Sequence, residues 1–525
     1  MLSSRPGIVT SATVKTAAGD DVFRLLGLIA TESIGQPFVI TIDLTADNDD
    51  IKADTLLGTA ATVSVALPGG GTRNFSGLVN AVAQPAEAGD ANVYRLELVP
   101  WISVLQLGSD CRIFQNKTPP DIVKEVFDDL GFTDYDVSGL VGSYPELPFC
   151  VQFNETHFDF VHRLLQRWGI SYHSEQSDGS HQLVFTDDPS SRKPFSGYEK
   201  IPFNTAAEAA QVTEHIDGWT WQQRLASGKQ VLKDYDYTNP SSSLEASSSA
   251  SPAHSYTHGD LELFHYPGHY TQQSDGDTLA KIGIEAATCR EHCIEGTARC
   301  WGLAAGHTFT LEDFPRKDQN QNYLLTSVRY TIAADGDGER HRHRHGYTCQ
   351  AAFTAVPAAV NYRPERTTPW PQIAGVQTAV VVGPAGHDPK TPYTDTYGNI
   401  RVQFRWDRQG QSNEKSSCWL RYKQFSAGTG TGGSAWGAVF LPRIGCEVAI
   451  AFEQGDPDRP LAIGGLYNAA NMPPQNLAAD QKTSTLKDDG GNFLTLNPDE
   501  STKLITLECP EEKSRLLLGN APPDA

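Results

Sequence analysis

The sequence predicts a mainly β protein with a few helices, ending in a β stem that associates with copies of itself. Three observations carry that expectation. Short runs of alternating apolar and polar residues, broken by Gly, Pro and Asp, fill most of residues 1–355. A second cluster of about five such runs occupies residues 375–470, the number that suits a small Greek-key barrel of the OB type. The C-terminal segment then repeats with a period of eleven, as GGNFLTLNPDE, STKLITLECPE and EKSRLLLGNAP.

In chain order, QPFVITIDLTAD (36–47), ATVSVALPGGG (61–71) and NVYRLELVPW (92–101) read as strands. TPPDIVKEVFDDLGF (118–132) reads as a helix, with Thr118 as its cap and prolines in the first turn. Its apolar side is Ile122, Val123, Val126, Phe127 and Leu130, and Gly131 stops it. NETHFDFVHRLLQRWGISYH (154–173) reads as a second helix, with Asn154 placed to cap it and Phe158, Val161, Leu164 and Leu165 as its stripe. HQLVFTDDP (181–189) is a strand, and NPSSSLEASSSASPAHS (239–255) an exposed loop. LAKIGIEAATCREHCIEGTARC (279–300) reads as an amphipathic helix with Cys289 and Cys293 on one face. HTFTLEDF (307–314) and YLLTSVRYTIAAD (323–335) return to strand, and the Pro- and Arg-rich VNYRPERTTPWPQI (360–373) marks a joint between domains. Four segments build the barrel: GNIRVQFRWD, SSCWLRYKQF, AWGAVFLPRIGCEVAIAFEQ and RPLAIGGLYN.

In the tail, Leu494, Ile505 and Leu516 align at the eleven-residue spacing, and so do Leu496, Leu507 and Leu518. One short repeat cannot bury its own apolar face, so repeats stack. Burying six such side chains is worth roughly 9–18 kcal/mol before entropy. Copies of the stem from other chains are the simplest partner, with a meander folded back on the barrel as the alternative.

Composition narrows the function. The 525 residues carry 42 Lys and Arg against 63 Asp and Glu, a net charge of −21. That disfavours nucleic acid, whose phosphates demand clustered cations. No apolar run approaches a membrane span, so an integral membrane protein is not expected. MLSSRPGIVTSATVKTAAGDD lacks the apolar core of a Sec signal peptide. Nine scattered cysteines suggest free thiols, and the spacing of Cys289, Cys293 and Cys300 is not that of a zinc ribbon.

Several stretches resemble the VgrG family, the spike proteins of bacterial type VI secretion. These are CVQFNETHFDFVHRLLQRWGISYH (150–173), VLKDYDYTNP (231–240), LELFHYPGHY (261–270), AVVVGPAG, YTDTYGNIRVQFRWDR and SSCWLRY. WGAVFLPRIGCEVAIAFEQGDPDRPLAIGGLYNA (436–469) is the strongest match. The resemblance implies a phage-tail-hub-like region with two barrel-like subdomains over 1–365 and an OB-fold barrel over 366–470. A connector and the start of a trimeric, triple-stranded β-helix stem would occupy 471–525. It implies a homotrimer that caps the Hcp tube, meets baseplate components, and carries effectors or their adaptors into target cells. A PAAR-type tip protein would sit on the stem if its tip is complete, and the stem ends after only three repeats. Such a protein assembles in the bacterial cytoplasm and leaves without a Sec signal. It is not an enzyme and needs no cofactor. A tail hub of a phage-like contractile particle is the alternative.

The candidate sites are weighed on the residues themselves. GERHRHRHGYTC places His341, His343 and His345 on one side of a strand, as a metal-dependent hydrolase would want. The flanking AADGDGERHRHRHG is polar and Gly-rich, which favours a solvated hairpin tip. Gly428, Gly430 and Gly433 have G-x-G-x-x-G spacing, but a strand follows where a dinucleotide site needs a helix. Gly455, Asp456, Pro457 and Arg459 in GDPDRP read as a turn joining the last two barrel strands, with Arg459 placed to pair with an acid of a neighbouring copy. Trp406, Trp419 and Trp436 read as barrel core. No H-E-x-x-H, P-loop or G-x-S-x-G signature occurs.

Overall fold

The computed structural model describes residues 8–9, 11–85, 92–204, 214–334, 346–431 and 433–520. Strands dominate, and the chain divides into two compact units. The first takes residues 1–110, 117–146 and 155–369; the second takes 111–116, 147–154 and 370–525.

The first unit is organised by one 13-stranded sheet. Its main path runs Ile216–Gln223, His292–Ala298, Tyr347–Pro357, Asn322–Ala334, Phe23–Ser33, Gln36–Ala46, Asn92–Val99, Thr72–Ala83, Ala60–Ala66 and Ala12–Lys15. Alternation along each strand builds the core. In Gln36–Ala46, Phe38, Ile40, Ile42 and Leu44 are buried while Val39 faces out. Two smaller three-stranded sheets flank it. Ser171–Ser177, Ser180–Thr186 and Tyr135–Gly139 form the first, accompanied by helices Pro119–Asp129 and His157–Arg167. Thr118 caps the former by accepting from the Asp121 amide at 3.3 Å, as its position in the sequence predicts. Thr156 caps the latter, accepting from the Asp159 amide at 3.0 Å. Asn154, expected there, instead lies in strand Cys150–Thr156 with φ +47°, two residues before the cap.

The second small sheet brings together the two Tyr-rich segments. Lys229–Lys233 pairs with Glu262–His265 in parallel and with Glu245–Ser249 antiparallel. The last of these lies inside the Ser-rich stretch expected to be loop; Leu244 and Ala246 are buried and anchor it. Helix Gln273–Thr288 ends at Cys289, so Cys293 belongs to strand His292–Ala298 and the two thiols do not share a helix face. The Pro- and Arg-rich joint is docked: Tyr362 and Arg363 are buried, and Arg363 bonds Glu285 at 2.7 Å and the Asp187 carbonyl at 2.7 Å.

The second unit contains a five-stranded sheet in the order Arg401–Phe404, Gln377–Val382, Glu447–Phe452, Pro460–Leu466, Arg421–Tyr422. Ala379, Val381, Val402, Phe404, Leu420, Val448 and Ile450 are buried in its core. Phe149 and Val151 join that same core from residues 147–154, and the Val151 amide donates to Asp458 at 2.7 Å. The tail is a four-stranded antiparallel meander of Ser484–Lys487, Phe493–Asn497, Leu504–Cys509 and Ser514–Gly519.

Candidate functional site

The tail sheet gathers the six residues that the eleven-residue pattern singles out. Because neighbouring strands run in opposite directions, partners across the sheet differ from those aligned in sequence. Leu494 lies opposite Leu507, which lies opposite Leu516; Leu496 lies opposite Ile505, and Ile505 opposite Leu518. Leu486 extends the first ladder through its pairing with Leu494. Residues two apart share a face, so all six side chains stand on one side. That side is open: Leu507, Leu516 and Leu518 are 51–54% exposed, and Leu496 and Ile505 are 46% and 42% exposed. The turns are polar and well bonded. Asp488 accepts from the Asn492 amide at 2.8 Å across Gly491, whose φ of +89° only a glycine adopts freely.

The GDPDRP segment joins Glu447–Phe452 to Pro460–Leu466 through a short 3-10 turn. Asp456 is only 4% exposed. Its carboxylate accepts from the Trp370 indole at 3.0 Å and from the Asp458 amide at 3.0 Å, and meets the Arg459 guanidinium at 3.8 Å. Arg459 thus has an acid partner in its own chain. Gly455 turns the backbone with φ +79° and accepts from the Ile373 amide at 2.8 Å, and Pro457 is buried.

The three tryptophans separate. Trp406 stacks on Phe404 at 4.9 Å, meets Phe153 edge-on at 5.6 Å and donates to Gln377 at 2.8 Å, all against the barrel core. Trp419 is half-buried under the Arg401 guanidinium, 4.5 Å from its ring centre. Trp436, expected in the core, is 58% exposed. It lies on the hairpin of Ala427–Thr429 with Ala435–Gly437, a two-stranded sheet outside the five-stranded one, packing on Gly428 instead of on the barrel interior. That hairpin contains Gly428, Gly430 and Gly433 and opens no helix, as the sequence reading expects.

His341, His343 and His345 lie outside the described residues. A different cluster among the described residues can offer metal ligands: His173, Glu175 and His307 place one ligand atom each within 4.8 Å of one another. His173 is buried and Glu175 exposed, two residues apart on strand Ser171–Ser177. Burial, then the facing His307 and Arg192, hold the His173 imidazole neutral, its pKa lowered to about 3. Burial and then Arg73 lower that of His307 to about 4. The H-x-E spacing in SYHSEQ was a readable signal; His307, far along the chain, was not. No helix among the described residues is long and apolar enough to cross a membrane.

Comparison with known proteins agrees with this architecture. Residues 31–336 match the family model of the phage tail baseplate hub (GPD), and residues 390–467 that of the type VI secretion system/phage-baseplate injector OB domain. The type VI secretion system spike protein VgrG1b of Pseudomonas aeruginosa is 38% identical over 474 residues, 90% of this chain and 62% of its own length. The spike protein VgrG1a of the same organism is 36% identical over 469 residues, 89% of this chain and 71% of its own. The chain therefore spans 62–71% of these relatives. An E. coli component of the type VI secretion system, described as structurally similar to the T4 bacteriophage tail proteins gp27 and gp5, shares the fold with a TM-score of 0.58. That match is 20% identical and covers 86% of this chain and 99% of that one.

Proposed function

The chain belongs to the VgrG family of type VI secretion spike proteins, and from that premise we propose that it acts as a mechanical spike and not as an enzyme. Three copies join through their stems, cap the Hcp tube, and are driven through a target envelope with effectors or their adaptors aboard. Baseplate components hold the trimer before firing, and a PAAR-type protein closes the tip. It assembles in the bacterial cytoplasm and is then secreted or injected into target cells.

The observation that carries this reading is the open leucine face. A monomer gains nothing from Leu496, Ile505, Leu507, Leu516 and Leu518 standing exposed on one side of a sheet, whereas three such sheets meeting around an axis remove them from water. Closing the stem in this way also pairs or covers strand edges, giving stiffness without an energy source. Each chain brings a charge of −21, so three bring three times that, −63, and the tube face they meet must be complementary or charge-poor.

Light scattering on a sizing column tests the stem. The expected mass is three times 57.2 kDa, 171.6 kDa; a single-chain mass at every concentration would overturn it. Sedimentation with purified Hcp tubes tests the cap. A trimer that fails to sediment with them would transfer the reading to a phage-like contractile particle, which the baseplate-hub match also accommodates.

A further inference from the structure

We propose that His173, Glu175 and His307 bind one divalent transition-metal ion of the zinc class, with solvent completing its coordination. Two imidazoles and one carboxylate are the donor set such ions favour. Ligand atoms within 4.8 Å of one another put the centre of their triangle within about 2.8 Å of each, and Zn–N bonds near 2.1 Å then require closure of less than about 1 Å. Exposed Glu175, 4.0 Å from His173 Nε2, closes its share by rotating its side chain, and small rotations of the two imidazoles close the rest.

The two histidines are prepared differently. His307 Nδ1 donates to the Lys193 carbonyl at 3.1 Å, which fixes the tautomer and leaves Nε2 with its lone pair, the arrangement by which ligating histidines are oriented. The His173 imidazole is 7% exposed and makes no hydrogen bond among the described residues. His162 and His181, also buried, engage theirs: His162 bonds the Phe158 carbonyl and the Tyr172 hydroxyl, and His181 accepts from the Trp101 amide. Gly306 keeps the loop close, since a Cβ at that position would fall 2.2 Å from the His173 ring.

Two guanidiniums lie nearby, and each has an engagement of its own. Arg73 is paired with buried Glu32 at 2.7 Å, and Arg192 bonds the Ser171 hydroxyl and the Tyr362 carbonyl. The ion would tie strand Ser171–Ser177 to the turn before Thr308, a cross-link within the first unit that needs no disulfide.

The test must exclude the other imidazoles and the thiols. The chain carrying His341→Gln, His343→Gln and His345→Gln is stripped with chelator and titrated with Zn²⁺ against a competing chromophoric chelator, and separately with Co²⁺. One equivalent per chain is expected, with a Co²⁺ spectrum of nitrogen and oxygen ligation. Adding Glu175→Gln or His307→Gln, neither a deeply buried position, should weaken Zn²⁺ binding by more than about tenfold. No equivalent bound in the triple variant, a thiolate charge-transfer band, or unchanged affinity in His307→Gln would each overturn the site.

Discussion

Asp456 shows how much one side chain can organise. Its carboxylate, itself almost wholly buried, holds an indole and a backbone amide and faces a guanidinium. Asp456→Ala leaves those donors without their acceptor. The expected loss is about 2–4 kcal/mol of stability in the barrel unit, read from urea unfolding followed by tryptophan fluorescence. Asp456→Asn should restore part of it. His162 makes a different prediction. Its Nδ1 donates to the Phe158 carbonyl, so Nε2 accepts from the Tyr172 hydroxyl, and burial lowers its pKa from 6.5 to about 4. Above pH 6.5 the ring is neutral whether folded or unfolded. Between pH 6.5 and 4 only the unfolded chain takes up the proton, so stability falls as pH falls, by at most about 1.4 kcal/mol per pH unit. His162→Gln lacks this group, and its stability deficit relative to the parent should narrow from pH 7 to pH 5. A deficit that stays constant would refute the assignment.

Elements were legible in proportion to how local their causes are. The helix Pro119–Asp129 could be read because cap, prolines and stripe lie within a dozen residues. The tail strands could be read because their period repeats. Cross-strand partners could not: Leu494 meets Leu507 through the reversal of the chain, which a translational alignment does not express. The strand Glu245–Ser249 was hidden because serine carries no apolar alternation; its place comes from the neighbours it pairs with. Trp436 misled for the converse reason, since an aromatic in a strand pattern says nothing of which sheet the strand joins. For the stem, Leu507→Asp puts a charge in the middle of the open face. It should reduce the solution mass to that of one chain while the far-UV spectrum and the unfolding of the first unit stay unchanged. Retention of the trimer in this variant would eliminate the leucine face as the contact. Thr156→Ala should cost about 1 kcal/mol through the lost cap on His157–Arg167, seen as a lowered unfolding midpoint.

For the whole molecule, charge opposes assembly while the leucine face favours it. Bringing three chains of −21 together is repulsive, and salt screens that repulsion over a Debye length of about 8 Å at physiological ionic strength. The trimer should therefore dissociate more readily at low salt. Sedimentation velocity across a salt series checks this, and tighter association at low salt would mean that specific ion pairs hold the chains together.

The interleaving of the barrel core has a temporal consequence. Val151 and its partner Asp458 are 307 residues apart, and Phe149 and Val151 complete a core whose other fully buried members follow residue 372. At about 5–20 residues per second, the early segment leaves the ribosome roughly 15–60 seconds before its last partners are made. For that interval its apolar side chains have no native place, so this segment is one where a nascent chain is open to a chaperone. A synonymous change that slows translation between residues 154 and 460 would lengthen that exposure without altering a single amino acid.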